Sequence, residues 1–451
     1  MKKTQLFIAI VTMLLLCSYN ATATDPVRPV KPTYDPTLVK GAAFIDRFLP
    51  LPSGNISSNC WGASNVVPRN VDNGIEDADH SYWGGNILKG DDGKFHLFGA
   101  RWPQDISRPN GKSGHEIWWD SDVYHAVSDK ITGPYKVVDM IGKGHNPEIY
   151  KCKDGTYVIG VMGLKAYKSN SLNGPWEQIE TKMEFLRDTH NISNRTYIVR
   201  EDGSVFMMNK EGGVFGNIDG EIENFVQYDV PKAYFRANGS HEEDPVIWKD
   251  EVEYNLVVND CLARIAYHLT SKDGMKWSYE EGFAYTPEIV VNENGVKESW
   301  WKFERPKVST DEYGRPLVMN FAVVDTLKAH DRANDNHSSK NIVVPLRLER
   351  RMELIKPSTI KTSTSSITIE LLAEEGFDPF NDVDLQSLRL GAAKLVNHAK
   401  GLEVVKSKKS ERGLVITFKG DDLGIKEGDY KLKLLGALKS GEPISSKVRI
   451  N

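Results

Sequence analysis

Two short stretches of the sequence place a glutamate two residues before a proline. They are Glu243-Asp244-Pro245 and Glu304-Arg305-Pro306, whereas Asp229-Val230-Pro231 has an aspartate at this place. Glu243 also lies beside Glu242 and His241, and crowding of like charges can hold one carboxyl group protonated near neutral pH. General acid–base catalysis needs a protonated and an ionised group side by side. These stretches are therefore the first candidates for a catalytic centre.

The two prolines belong to a weak internal repeat. Each copy begins with Gly, Pro or Arg and continues as an apolar strand, which ends at a glycine turn in four of the five copies. The first residues of the copies, called anchors below, are Gly85, Pro147, Arg195, Pro245 and Pro306, roughly 48 to 62 residues apart. A second element follows in three copies, a serine, then a turn, then an aromatic residue, as in Gly133-Pro134-Tyr135. This period is typical of four-stranded propeller blades.

The predicted fold class is therefore all-β, a five-bladed β-propeller over residues 42–355. The inner strands of all blades start near one end of the central channel, so side chains just before the anchors should converge. Burying so many charges without partners or a ligand would be costly. The chemically interesting residues near this register are Asp79, Trp83, His145, Glu148, Asp188, Arg195, His241, Glu243, Asp244, Trp301, Glu304 and Arg305.

With these motifs the chain resembles the five-bladed propeller glycoside hydrolases, the broad group that contains families 43, 32, 62, 68 and 117. The resemblance covers residues of about 60–350 and rests on the strand-turn repeat, the serine-turn-aromatic element and Glu243-Asp244-Pro245. It implies that Glu243 is the general acid. Family 117 uses a histidine as the acid, which keeps His241, His145 and His190 as alternatives.

The chain departs from family 43 at two positions. Gly84 stands where that family has its catalytic base, and Asn194 stands where it has a pKa-tuning aspartate. Asp79 is the nearest carboxylate in the first copy, so we assign it as the substitute base. The predicted catalytic set is Glu243, Asp79, Glu304 and His241. Inversion of configuration is expected because most of the resembling families invert.

A sugar-binding site combines aromatic faces with charged and polar groups that grip hydroxyl or anionic substituents. Arg101 is a candidate of the second kind, although an arginine packed over a tryptophan would look the same. Glu304 can likewise be a ligand-binding group or a salt-bridge partner of Arg305. The predicted substrate-binding residues are Trp83, Arg101, Trp102, His145, Glu148, Asp188, Arg195, Asp244, Trp301 and Arg305.

The N-terminus predicts export. Lys2 and Lys3 precede an apolar run over residues 6–16, and Ala21-Thr22-Ala23 offers a cleavage site, so residues 1–23 are interpreted as a signal peptide and 24–41 as a tether. A lipid anchor at Cys17 is disfavoured because the preceding Leu16 is large. No other run is long enough to cross a bilayer. The predicted location is the periplasm or the extracellular space.

The composition limits cofactors and partners. A net charge of -5 without a basic run excludes a nucleic-acid partner and leaves the oligomeric state open. The three cysteines of the mature chain, Cys60, Cys152 and Cys261, are too widely spaced to predict a zinc site, so we expect no required cofactor or metal. Residues 330–337 are rich in oxygen and imidazole ligands, and a structural calcium site, a substrate loop and a polar hairpin tip all stay open.

Residues 356–451 form a second unit. A polar junction precedes short strands such as 366–372, 414–418 and 430–435, which predict a small β-sandwich of accessory function. The whole chain is thus predicted to be a secreted, exo-acting glycoside hydrolase that releases a terminal sugar from a plant or algal oligosaccharide. Two alternatives remain: a phosphorylase, with Arg195 and Arg305 as its phosphate ligands, and a glycan-binding propeller without catalysis.

Overall fold

The computed structural model describes residues 30–57, 63–186, 191–217, 222–236 and 240–450. The predicted signal peptide lies outside these residues. Five β-sheets follow one another along the chain, and a closed C-terminal sheet comes after them. Within the described ranges no helix is long and apolar enough to span a membrane.

The first part of the chain holds a small strand pair and then the five blades. The pair is β1 (Ile56–Ser57) and β2 (Arg69–Asn70). Blade 1 comprises β3 (His80–Lys89), β4 (Phe95–Pro103), β5 (Asp122–Ser128) and β6 (Lys136–Lys143), and blade 2 comprises β7 (Glu148–Lys151), β8 (Tyr157–Gly160), β9 (Lys165–Ser169) and β10 (Glu177–Glu180). Blade 3 comprises β11 (Lys182–Glu184), β12 (Thr196–Val199), β13 (Val205–Met208), β14 (Val214–Asn217) and β15 (Asn224–Gln227). Blade 4 comprises β16 (Glu242–Lys249), β17 (Tyr254–Asp260), β18 (Ile265–Ser271) and β19 (Ser278–Tyr279), and blade 5 comprises β20 (Lys302–Thr310), β21 (Pro316–Val324) and β22 (Ser339–Pro345).

The strands of blades 1, 2, 4 and 5, and β12 to β15 of blade 3, pair with their neighbours in chain order, so the predicted five-bladed propeller is confirmed. Blade 3 gains an outer parallel strand, because β11 pairs with β15. Blade 5 has three strands among the described residues, and Ile75, which precedes blade 1, bridges to Asn341 of β22. The segment before the first blade therefore contacts the last blade and closes the ring.

The residue before each anchor has a left-handed backbone. The φ angles are 60° at Gly84, 53° at Asn146, 49° at Asn194, 57° at Asp244 and 50° at Arg305. In blades 1, 4 and 5 the pairing of the inner strand shifts register at this place. Such a bulge re-aims the side chains on either side of it. Gly, Asn and Asp tolerate this conformation best, which accounts for four of these five residues.

One residue beyond the anchors, a buried ion pair joins two blades across the channel. The Lys307 ammonium contacts the Glu148 carboxylate, and Thr196 donates a hydrogen bond of 2.9 Å to Glu148. Burial lowers the pKa of Lys307 to about 8. Glu148 is thus a structural partner of Lys307 and does not line the pocket described below.

Removing one member of this pair should destabilise the propeller strongly. Lys307→Ala leaves the Glu148 carboxylate buried without its counter-ion, so the free energy of unfolding should fall by about 3–5 kcal/mol. Urea denaturation followed by tryptophan fluorescence measures the loss. The double variant Lys307→Met with Glu148→Leu should recover much of it. Equal stabilities of the single and double variants would contradict this account.

The C-terminal unit is a closed seven-stranded sheet, in which the faces of the predicted sandwich curl into a barrel. Its strands are β23 (Arg350–Lys356), β24 (Ser366–Leu372), β25 (Val383–Gly391), β26 (Leu402–Lys409), β27 (Gly413–Lys419), β28 (Lys431–Leu438) and β29 (Pro443–Arg449), with short helices α1 (Pro379–Asp382) and α2 (Ala393–Val396). The sheet closes where β23 pairs in parallel with β29. It thus begins at Arg350, before the predicted boundary.

Both the C-terminal unit and the N-terminal segment pack against the propeller. Lys447 lies 2.8 Å from Glu253, and Lys431 lies 2.8 Å from Glu280, in a buried interface. The segment predicted as a tether is also held in place. Its Val39 donates a backbone hydrogen bond of 2.9 Å to Asn397, and Lys31 contacts Glu242.

Candidate active site

A pocket of about 380 Å³ opens where the inner strands begin. Most of its lining residues are among the two residues that precede each anchor. The fold therefore brings together the side chains that the repeat predicted to converge. Five further residues come from outside this register. The lining residues are Trp83, His115, Trp118, His145, Asn146, Met162, Ser193, Asn194, Lys210, Glu243, Asp244, Glu304, Arg305 and Lys328.

Glu304 lies at the floor of the pocket with two cations against it. The ammonium groups of Lys302 and Lys328 both contact its carboxylate, whose side chain is 4% exposed. Burial alone would raise its pKa, but the two lysines outweigh burial and bring the pKa of Glu304 down to about 2. Glu304 is therefore an ionised, desolvated carboxylate.

Glu243 is the more accessible carboxylate, with its side chain 13% exposed. It contacts the Lys210 ammonium, accepts a hydrogen bond from Cys261 and lies 3.6 Å from His241 Nε2. Burial and the nearby Glu304 raise the pKa of Glu243, but Lys210 outweighs them and holds it below the ordinary value. Crowding of like charges therefore does not raise the pKa of Glu243 itself in the unliganded protein, because Lys210, which sequence proximity did not reveal, opposes it.

Asp244 and Arg305 anchor a belt of hydrogen bonds around the axis. The Asp244 carboxylate accepts bonds from the Arg305 backbone N (3.0 Å), from Arg305 Nη1 (3.2 Å) and from Asn194 Nδ2 (2.6 Å). Asn146 in turn donates to Asn194 over 2.7 Å. Burial raises the pKa of Asp244, and the Arg305 guanidinium opposes this shift. Both oxygens of Asp244 are engaged, so its role is to hold Arg305 and Asn194 in place.

The position of Gly84 is covered by Arg305. A β-carbon at residue 84 would lie 3.4 Å from Arg305 Cβ, so the arginine side chain fills the space beside the glycine. The first blade consequently contributes no carboxylate at the place where family 43 has its base. The carboxylates of this pocket come from blades 4 and 5, and oxygens of Glu243, Asp244 and Glu304 lie within 4.8 Å of one another.

Aromatic side chains also line the pocket. The ring of Trp83 lies 4.8 Å from that of His115, and Trp118 lies 4.6 Å from His145. The Lys328 ammonium lies 4.6 Å from the centre of the Trp83 ring. Burial lowers the pKa values of His115 and His145, so both imidazoles are neutral. The structure places His145 and Trp83 in the pocket, as the sequence indicated.

Asp79 does not reach the pocket. Asp79 is exposed. Its backbone N–H donates a hydrogen bond of 2.8 Å to the Asp77 carboxylate, and its backbone carbonyl accepts a hydrogen bond from the Gln104 backbone N–H. It precedes the bulge of β3 by five residues, too far along the strand for its side chain to reach the channel. We therefore do not retain Asp79 as the base. His241 lies at the rim beside Glu243.

Besides Glu148 and Asp244, four of the predicted substrate-binding residues serve other roles. Arg101 hydrogen-bonds Tyr82, and the fully buried Trp102 donates 3.0 Å to the Gly114 carbonyl. The Arg195 guanidinium turns away from the axis and donates 2.5 Å to the Val161 carbonyl. Trp301 lines a separate pocket of about 750 Å³, where the Arg264 guanidinium stacks on its ring. Asp188 and His190 lie outside the described residues.

Two lining residues that the sequence reasoning missed have a recognisable register. Met162 and Lys210 each lie two residues after the end of the strand that pairs with the inner strand, which is β8 in blade 2 and β13 in blade 3. This strand runs antiparallel to the inner strand, so its end adjoins the start of the inner strand. A scan of that register would have found both. His115 and Trp118 belong to a 3-10 helix, Gly114–Asp120, which has no counterpart in the repeat.

Comparisons with known proteins found similarity among solved structures alone. No protein-family model matches the chain, and no curated protein does. A family 117 glycoside hydrolase from Zobellia galactanivorans shares 13% identity over 61% of this chain and 88% of that chain, with a TM-score of 0.44. CoXyl43, a GH43 β-xylosidase/α-arabinofuranosidase from a compost metagenome, shares 12% identity over 62% and 95%, with a TM-score of 0.42. A putative glycosidase from Bacteroides thetaiotaomicron shares 13% over 67% and 97%, with a TM-score of 0.41.

Proposed function

We propose that this protein is a glycoside hydrolase whose catalytic pair is Glu243 and Glu304. The observation that carries the proposal is the approach of these two carboxylates to within 4.8 Å in a pocket lined by Trp83 and Trp118. Glycosidic bonds are cleaved by two carboxyl groups that flank the bond. Tryptophan faces are the surfaces on which sugar rings stack. The two features occur together in this one pocket.

The environments of the two carboxylates suggest different roles. Glu304 is kept ionised by Lys302 and Lys328, so it suits the group that faces the anomeric carbon. Glu243 is more exposed and lies beside His241, so it suits the group that exchanges a proton with the leaving oxygen. Substrate binding must weaken the contact between Lys210 and Glu243 for that proton to be carried.

The stereochemical outcome that this spacing favours is retention. Retaining enzymes hold their carboxyl groups about 5–5.5 Å apart, whereas inverting enzymes leave about 6.5–9.5 Å for a water molecule. One oxygen of Glu243 lies within 4.8 Å of an oxygen of Glu304, and this short approach is the basis on which we propose the retaining spacing. Retention therefore replaces the inversion expected from the resemblance.

The shape of the pocket supports cleavage at a chain end. Below the carboxylates the channel is closed by Arg305 with Asp244, and deeper by Lys307 with Glu148. A closed floor admits the terminal residue of a glycan and excludes an internal one. Export rests on the N-terminal signal, and the substrate we propose is an extracellular oligosaccharide.

Phosphorolysis is less well supported than hydrolysis. The pocket does contain cations, but Lys210, Lys302, Lys328 and Arg305 each contact a carboxylate. Arg195, the other phosphate ligand expected from the sequence, lies away from the pocket. A phosphate ion would therefore have to displace existing ion pairs.

The test is a screen of defined oligosaccharides in ¹⁸O-labelled water, with and without inorganic phosphate, read by mass spectrometry. Hydrolysis releases a monosaccharide that carries ¹⁸O at its anomeric carbon. A sugar phosphate formed only with phosphate would instead identify a phosphorylase. Glycans that bind in the pocket without being cleaved would identify a binding protein and overturn the proposal.

Two lysine variants should shift opposite limbs of the pH profile. Lys210→Met removes the cation that lowers the pKa of Glu243, so the proton persists to higher pH and the alkaline limb of kcat/KM should move up by about 1 pH unit or more. Lys328→Met raises the pKa of Glu304 from about 2, so the acidic limb should move up instead. Lys249→Met, which breaks an exposed pair with Glu201, is the control and should shift neither limb. Movement of the same limb in both lysine variants would contradict the assigned roles.

A further inference from the structure

Three metal-ligating side chains of different chemistry meet at the rim of the pocket. His241 and Glu243 are two residues apart at the start of β16, so their side chains lie on the same face. Cys261 follows β17 and donates its backbone N–H over 3.0 Å to the His241 carbonyl, which places it directly across the hairpin. One ligand atom from each of His241, Glu243 and Cys261 lies within 4.8 Å of the others.

This trio differs from the neighbouring carboxylate cluster. Oxygens of Glu243, Asp244 and Glu304 also lie within 4.8 Å of one another, but three lysines and Arg305 already neutralise them. In contrast, imidazole, carboxylate and thiolate together form the mixed nitrogen, oxygen and sulfur set that binds Zn²⁺. His241, Glu243 and Cys261 are all partly exposed, so an ion can reach them from solvent.

A divalent ion at this site must displace the proton of the Cys261 thiol, which would be released to solvent on binding. Lys210, whose ammonium contacts Glu243, competes with the ion for that carboxylate.

We propose that His241, Glu243 and Cys261 form a binding site for a zinc-type divalent metal ion, with a fourth coordination position open to water. Cysteine spacing could not predict it, because a single cysteine contributes and the other two ligands come from across a hairpin. A bound metal ion would prevent Glu243 from transferring a proton and would therefore inhibit cleavage. This inhibition rests on the proposed function, whereas metal binding itself does not.

The direct test is titration of the full-length protein with Co²⁺, followed by absorption spectroscopy. Thiolate coordination gives a charge-transfer band in the near ultraviolet, and tetrahedral coordination gives strong visible bands. We expect both in the wild type and in the controls Cys152→Ser and Cys60→Ser. Cys261→Ser should lose the charge-transfer band. A missing band in the wild type, or a band that persists in Cys261→Ser, overturns the site.

Two further variants keep the test decisive if Cys261→Ser folds poorly. Loss of a side chain that only hydrogen-bonds a metal ligand weakens metal binding by about 10- to 100-fold. His241→Ala removes a ligand itself and should weaken Co²⁺ binding by more than this. Lys210→Met should tighten binding, because the competing ammonium is gone. Unchanged affinity in both variants contradicts the site. Zn²⁺ should also inhibit cleavage by the wild type at lower concentrations than it inhibits Cys261→Ser, and the Co²⁺ spectra decide the site even if no cleavage is ever found.

Discussion

Glu304→Gln should abolish cleavage of the oligosaccharide substrate and leave a folded protein that still binds it. The amide has the size of the carboxylate but not its charge, which Lys302 and Lys328 maintain at the pocket floor. Without that charge nothing stabilises the positive character that develops at the anomeric carbon, so kcat should fall by about 10³-fold or more. Steady-state kinetics measure the loss, and calorimetry measures the retained binding.

The matched control for this variant is Glu288→Gln. Glu288 is an exposed glutamate of the neighbouring pocket that holds Trp301, so its amide should leave kcat and KM unchanged. Circular dichroism of Glu304→Gln should match that of the wild type. A folded Glu304→Gln protein with kcat within a few-fold of the wild type would remove Glu304 from the mechanism.

Glu243→Gln should produce a loss that depends on the leaving group. With a natural oligosaccharide, departure of the sugar hydroxyl requires protonation, so the rate should fall by about 10²- to 10⁴-fold. With an aryl glycoside that has an acidic phenol, departure needs no proton and bond cleavage should be nearly unaffected. Comparison of the two substrate types measures the proton-transfer contribution directly.

The control for Glu243→Gln is Asp79→Asn. Asp79 is exposed and lies outside the pocket, so its amide should retain full activity on both substrate types. An equal loss on both types in Glu243→Gln would show that Glu243 does not deliver the proton. A loss of activity in Asp79→Asn would reinstate the base that the sequence indicated.

The repeat predicted the architecture because it reports backbone geometry. The residue before each anchor adopts a left-handed conformation, at a bulge in blades 1, 4 and 5, and four of the five residues are Gly, Asn or Asp. The same register located Glu243, Glu304 and Arg305 correctly at the pocket. A local sequence pattern can predict these positions because the backbone geometry that it reflects lies within one blade.

Some site residues were predicted wrongly because spacing in the sequence does not show in which direction a side chain points or how deep in the channel it lies. Arg195 occupies an anchor and turns between blades, whereas Arg305, one residue earlier in its own repeat, faces the axis. Glu148 lies one residue beyond its anchor, in the layer below the pocket. A bulge reverses side-chain direction within two residues, and spacing alone does not resolve it.

Long-range partners were also beyond the reach of the sequence. Lys210 and Lys328 set the charge of the two glutamates from distant parts of the chain, and no local motif shows that Lys210 pairs with Glu243 or Lys328 with Glu304. The parallel pairing of β23 with β29, which closes the C-terminal barrel, joins residues at opposite ends of that unit. Such contacts are properties of the folded chain.

The most direct test of the catalytic assignment is a crystal structure of Glu304→Gln with a bound, uncleaved oligosaccharide. The account predicts a terminal sugar ring against the partly exposed Trp118, its glycosidic oxygen within hydrogen-bond distance of the Glu243 carboxyl group, and its anomeric carbon facing residue 304. A ring bound in the Trp301 pocket, or one whose scissile bond lies away from Glu243, would contradict it.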